Sequence, residues 1–103
     1  MAYPVVTLLS YTNLEYEGTF NGTGEITNDV IQLVNSYAIK RVTITGYSSI
    51  AANAFLSTTQ MYYVDIGSDV TTIGDNAFSG CTNLMRITLP ETVTSLGTNV
   101  FAN

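Results

Sequence analysis

An α+β repeat protein is the fold class this 103-residue sequence predicts: a short β-solenoid of 23-residue period behind a non-repeating N-terminal cap. Three observations predict it. Ile50-Ala-Ala-Asn53-Ala54-Phe55 recurs as Ile73-Gly-Asp-Asn76-Ala77-Phe78 and again as Leu96-Gly-Thr-Asn99-Val100-Phe101, at a spacing of 23 residues each time. Met61, Val64, Ile66 and Val70 return in the same register as Leu84, Ile87, Leu89 and Val93, and Ile39, Val42 and Ile44 fill the matching places 22 residues earlier. Residues 1–38 show no such recurrence. A unit of this size cannot bury its own apolar face, so stacked units must build one continuous core.

Each part of the unit has a physical reading. Leu84-Met85-Arg86-Ile87-Thr88-Leu89 is rich in strand formers and alternates at its end, which predicts a short strand closed by Pro90, a residue with no N–H to donate. Gly74 to Gly80 is too short for a stable α-helix and reads as one helical or 3₁₀ turn. A 20–29-residue period around a Leu-x-x-Ile-x-Leu core is the leucine-rich-repeat pattern. In such a stack Phe55, Phe78 and Phe101 form an aromatic spine. Asn53, Asn76 and Asn99 form a ladder beside it, expected to bond backbone groups in the turns. Both ladders read as structural.

Residues 39–103 hold about three repeats, the last incomplete, and residues 1–38 read as the capping segment of a single folded domain. In the cap, Val5 to Leu9 and Leu14 to Phe20 read as strands, Asn21-Gly22 with Gly24 as a tight turn, and Glu25-Ile26-Thr27 as a returning strand. Thr27 or Asn28 then caps a short helix whose apolar residues are Val30, Ile31, Leu33, Val34 and Tyr37.

The stretch Ile73-Gly-Asp-Asn-Ala-Phe-Ser-Gly-Cys81-Thr-Asn-Leu-Met-Arg-Ile-Thr-Leu-Pro90 closely resembles the BspA-like leucine-rich repeat, a type found in surface proteins of gut bacteria and some protists and also carried by phages. Gly22 to Ile26 followed by Ile39 to Ile44 is similar to that family's lead-in, so the resemblance spans roughly residues 20–103. The first copy departs from the pattern: it is one residue shorter and has Leu56-Ser-Thr58 where Ser79-Gly80-Cys81 stands later. The resemblance implies binding rather than catalysis, and it names no partner.

Composition points the same way. Eight acids against three bases give a net charge of −5, which disfavours nucleic acid, whose phosphates need clustered Lys and Arg. Charged residues are only 11% of the chain, against a usual ~25%. With no histidine, the commonest general base and metal ligand is missing, and one cysteine permits neither an internal disulfide nor a thiolate metal cluster. No catalytic, cofactor-binding or metal-binding residue is therefore expected. Glu15 and Glu17 share a strand face as glycosidase carboxylates might be arranged, but a solvated edge strand explains them as well. Asp65, Asp69 and Asp75 lack calcium-loop spacing. Gly22-Thr-Gly24 is followed by Glu25, which repels an anion, and Cys81 reads as a small buried hydrophobe. Asn21-Gly22-Thr23 matches a glycosylation sequon and equally an ordinary turn.

Two surfaces stand out. If Ile87 and Leu89 point inward, Arg41, Tyr63 and Arg86 stack outward in one row and Thr43, Asp65 and Thr88 in the next. Cation–π contact should then hold an Arg–Tyr–Arg ladder. At the C-terminal end Ile87, Leu89, Val93, Leu96 and Phe101 should form an open apolar edge that needs covering. The expected function is a non-catalytic module docking on a larger assembly, such as a decoration protein on a phage virion. The alternative is a secreted or cell-surface adhesion domain binding a host protein or glycan. The expected partner is a protein, either a larger assembly such as a capsid or a second copy of the chain; no nucleic acid and no membrane insertion are expected. No base precedes Lys40, so no secretory leader is legible.

Overall fold

The computed structural model describes residues 5–12, 15–36 and 38–102. Its elements are β1 (Val5–Thr12), β2 (Glu15–Asn21), β3 (Glu25–Ile26), α1 (Val30–Ser36), β4 (Ile39–Thr45), β5 (Ser49–Ile50), β6 (Tyr63–Ile66), β7 (Thr72–Ile73), β8 (Arg86–Thr88) and β9 (Ser95–Leu96). The chain winds as a β-solenoid of about three turns with little helix. One sheet runs β1-β2-β4-β6-β8 and the other β3-β5-β7-β9, so each coil gives one strand to each sheet. All pairs are parallel except β1–β2.

The inward side of every coil is apolar because strand side chains alternate. In β6, Val64 and Ile66 are buried while Tyr63 and Asp65 are half-exposed; β4 alternates likewise with Val42 and Ile44 inside. Gly46, at φ 84°, turns the chain from one sheet to the other in a conformation L side chains rarely adopt. Gly74 is needed for a different reason: a Cβ there would collide with the backbone of Ala51 and Ala52 in the coil before it.

The third side of each coil is not helical as the sequence predicts. Its amides alternate between two partners. Ala54, Leu56 and Thr58 donate three residues back, to Ala51, Asn53 and Phe55. Asn53, Phe55 and Ser57 donate instead to the carbonyls of Asp75, Ala77 and Ser79 in the next coil, at 2.9, 2.8 and 2.7 Å. Half of the turn's donors thus join the coils, which a continuous helix would forbid by consuming every N–H internally.

This geometry explains the Asn ladder and corrects its expected role. Asn53, Asn76 and Asn99 have φ of 62°, 59° and 57°. Among the described residues their side chains bond no backbone group. Asparagine is used because it tolerates the left-handed region better than other non-glycine residues. The aromatic spine stacks with ring centroids 5.3 Å apart for Phe55–Phe78 and 5.9 Å for Phe78–Phe101, and Phe20 meets Phe55 at 6.5 Å in a tilted contact.

The N-terminal part differs from expectation in two ways. Asn21 to Gly24 does not turn β3 back on β2. It is a corner that carries β3 to the other sheet, where Ile26 pairs with Ile50 as Phe20 pairs with Ile44. Residues 15–36 therefore follow a coil's path without its sequence, with α1 in place of the turn segment. Val30 and Val34 seal that end of the core at 1% and 0% exposure. The Asn28 side chain donates to the Asn53 carbonyl at 2.8 Å rather than capping α1. Tyr37 lies outside the described residues, as does the side chain of Leu33.

Candidate functional site

The outward row on the larger sheet starts from strand register. β4, β6 and β8 place Arg41 opposite Tyr63 and Tyr63 opposite Arg86, with Thr43, Asp65 and Thr88 aligned in the next row. β2 extends the first row, setting Glu17 opposite Arg41. The Arg41 guanidinium lies 4.6 Å from the Tyr63 ring centroid and 3.5 Å from a carboxylate oxygen of both Glu17 and Asp65. Lys40 sits 5.2 Å from the Tyr62 centroid in a parallel row that ends at Met85.

The expected ladder is therefore one-sided. Arg41 makes the ring contact and two ion pairs, whereas the exposed Arg86 guanidinium makes neither a ring contact nor an ion pair among the described residues. The reason is position: Arg41 is flanked by strands on both sides, and β8 is the outer strand of its sheet.

The second surface is the end of the solenoid at β8 and β9. The expected strand over residues 84–89 shortens to Arg86–Thr88, with Ile87 half-buried and Leu89 exposed. Leu96 is 53% exposed, Phe101 41% and Leu89 40%, and Val93 is half-buried. Met85, 70% exposed, was not singled out by the sequence reading, although its place in the Lys40–Tyr62–Met85 phase carried the signal. Phe78, Cys81, Leu84, Met85, Arg86, Ile87 and Phe101 line a cavity of about 210 Å³ at this end.

The residues weighed for catalysis or metal binding go to separate structural tasks. Glu17 faces Arg41, and the Glu15 side chain lies outside the described residues. Asp65 pairs with Arg41, while Asp75 accepts the Thr98 amide at 2.7 Å, tying one coil to the next. Among the described residues no three His, Cys, Asp or Glu side chains converge on a metal-sized site. Cys81 is buried, its thiol donates to the Phe55 carbonyl at 3.1 Å, and burial pushes its pKa up, partly opposed by a hydrogen bond from the Thr58 backbone. A protonated, enclosed thiol is a poor nucleophile. The Asn21 carboxamide accepts from the Thr45 hydroxyl at 3.1 Å, across the corner. No helix among the described residues is long and apolar enough to cross a membrane.

Parallel strands on two sides, hydrogen-bonded turns on the third and an apolar residue at every fixed phase define a leucine-rich-repeat scaffold. The family model of the BspA type leucine rich repeat region (6 copies) matches residues 47–103, and the chain belongs to that family. The match starts at Tyr47, inside the coil that is one residue short and after the lead-in coil whose turn segment is a helix. Compared with curated proteins and with solved structures, the chain finds no match.

Proposed function

We propose that this chain is a non-catalytic interaction module that docks through its β8–β9 end, with residues 1–38 as its N-terminal cap and residues 39–103 as its repeats. The observation that carries this reading is the exposure of Met85, Leu89, Leu96 and Phe101 together at one end, around a cavity. Clustered apolar surface of this kind marks interaction sites in soluble proteins. The Arg41–Tyr63–Arg86 face is the adjoining candidate surface, being of residue types enriched at binding hot spots. The fold supports the reading: leucine-rich repeats serve as protein-interaction scaffolds.

Within that reading, the partner is a larger assembly such as a phage capsid. The alternative, a secreted or cell-surface adhesion domain for a host protein or glycan, draws on the surface-protein character the family resemblance implies. Purification of the tagged chain from its native source tests the module. A stoichiometric protein partner that is lost in Leu96→Asp/Phe101→Asp and kept in Thr72→Ala is the expected result. A partnerless monomer whose polysaccharide turnover disappears in Glu17→Gln would overturn it.

A further inference from the structure

The bases of this chain are gathered on one sheet. Lys40 and Arg41 stand on β4 and Arg86 on β8, all in the larger sheet. Glu25, Asp29, Asp69, Asp75 and Glu91 lie off that sheet, and among the described residues none of them pairs with a base. The rest of the surface therefore repels an anion, and the larger sheet is where one is drawn.

At the centre of this face the cations are held in a fixed pattern. β4 and β6 are interior strands, each with a neighbour on both sides. Lys40 lies over Tyr62 at 5.2 Å and Arg41 over Tyr63 at 4.6 Å, so consecutive cations of one coil cover consecutive rings of the next. Tyr62 precedes β6, before the strand takes up its alternation, which is why both rings stay half-exposed. The two cationic heads differ in one respect. Arg41 lies 3.5 Å from carboxylate oxygens of Glu17 and Asp65, whereas the Lys40 ammonium has a ring contact but no ion pair among the described residues. A positioned ammonium without a carboxylate is suited to a ligand anion.

The other side chains select what carries that anion. Outward neighbours along the same two strands are Thr43, Thr45 and Asp65, and none of the large exposed apolar side chains lies on β4 or β6. The core of a protein–protein interface is depleted of charge, whereas here two carboxylates meet one arginine. Tyrosine rings beside hydroxyl and carboxylate groups match a sugar instead. Its C–H face packs on a ring while its hydroxyls bond the polar groups.

We propose that the Lys40–Arg41–Tyr62–Tyr63 patch binds an acidic glycan. A uronate carboxylate meets the Lys40 ammonium, a pyranose face packs on a tyrosine ring, and sugar hydroxyls bond Asp65 and Thr43. The inference rests on the reading of this sheet face as a binding surface and is separate from the β8–β9 end.

The test titrates oligogalacturonate into the full chain while amide resonances are followed. Its fully methyl-esterified form keeps the sugar backbone and loses the charge, and a pentaglutamate peptide keeps the charge without the sugar. The expected result is shifts at Lys40, Arg41, Tyr62 and Tyr63, with the acid form bound about tenfold more tightly than the ester, the scale of one charge-assisted hydrogen bond. Added salt should narrow that difference. Lys40→Gln should abolish it, and Tyr62→Ala should weaken both forms, while the spectra of the free chains stay folded. Equal binding of acid and ester by the unaltered chain, or no shift from either, overturns the proposal. So does pentaglutamate binding as tightly as oligogalacturonate; that outcome keeps the face and makes its partner an acidic protein segment. Leu96→Asp/Phe101→Asp should bind oligogalacturonate unchanged, so the docking end and this patch can fail independently. Loss of the glycan in that variant, with its spectrum folded, would move the site to the end and overturn the assignment to β4 and β6.

Discussion

Phe78 and Phe101 occupy the same position in successive coils and stack on each other, yet Phe78 is 1% exposed and Phe101 41%. The same step separates Ile73 at 2% from Leu96 at 53%, and Ile66 at 5% from Leu89 at 40%. Residue type barely changes between the two coils. What changes is that the middle coil has a neighbour on both sides and the last has one. At the other end the apolar phases stay sealed, because α1 and β2 lie over them and Val30, Val34 and Phe20 are buried. In a solenoid, then, burial is a property of position in the stack.

The largest break in that comparison should come from the spine. Phe78→Ala should cost ~3–5 kcal/mol, the range for truncating a buried aromatic, and Phe101→Ala about 1 kcal/mol, since half of its ring already meets water. Denaturant midpoints measure both, and equal shifts would mean that the coils are not packed differently. A middle-sized effect belongs to the turn backbone, where both coils share one geometry. Asn76→Ala should cost ~1–2 kcal/mol for its left-handed φ. Ser57, at φ 56°, stands where the next coil has Gly80 at 74°. Ser57→Gly should gain about 0.5 kcal/mol, relief of the strain outweighing glycine's extra chain entropy.

Smaller again is the pH dependence of the buried side. Burial raises the Cys81 thiol pKa in the folded state, so its contribution is complete below the unfolded thiol value of about 8.5 and is lost as pH rises through the folded value. Tyr47, also raised by burial, acts the same way above about 10. Urea midpoints should stay level up to about pH 8.5 and then fall, and Cys81→Ala should remove the first part of the fall. The smallest effect lies on the outward row. Replacing Tyr63 and Arg86 together by Ser should change stability by under about 1 kcal/mol, because an exposed cation–π contact is worth no more. A loss of several kcal/mol would mean that this row belongs to the core.

The repeats were legible because the solenoid writes its geometry into the sequence at fixed phases: Phe55, Phe78 and Phe101 give the stack, and Arg41, Tyr63 and Arg86 give a row from register alone. The lead-in coil was legible only in part: its strand at Glu25-Ile26 and its likeness to a lead-in were read, but not its place in the second sheet. Glu25-Ile26 is two residues long, and its membership of the second sheet depends on pairing with β5, which no local pattern records. The role of the asparagines was hidden for a similar reason: side-chain chemistry suggested hydrogen bonds, whereas backbone φ decided the residue. Contacts across two strands, such as Arg41 between Glu17 and Asp65, needed the register of a segment with no repeat in it.

Amide hydrogen exchange on the isolated chain tests the difference between the coils most directly. Amides of Tyr63–Ile66, covered on both sides, should exchange far more slowly than those of Arg86–Thr88 and than Asn99 and Phe101, and addition of a partner should slow only the second group. Equal, strong protection of both coils in a chain that sediments as a monomer would contradict an uncovered docking end.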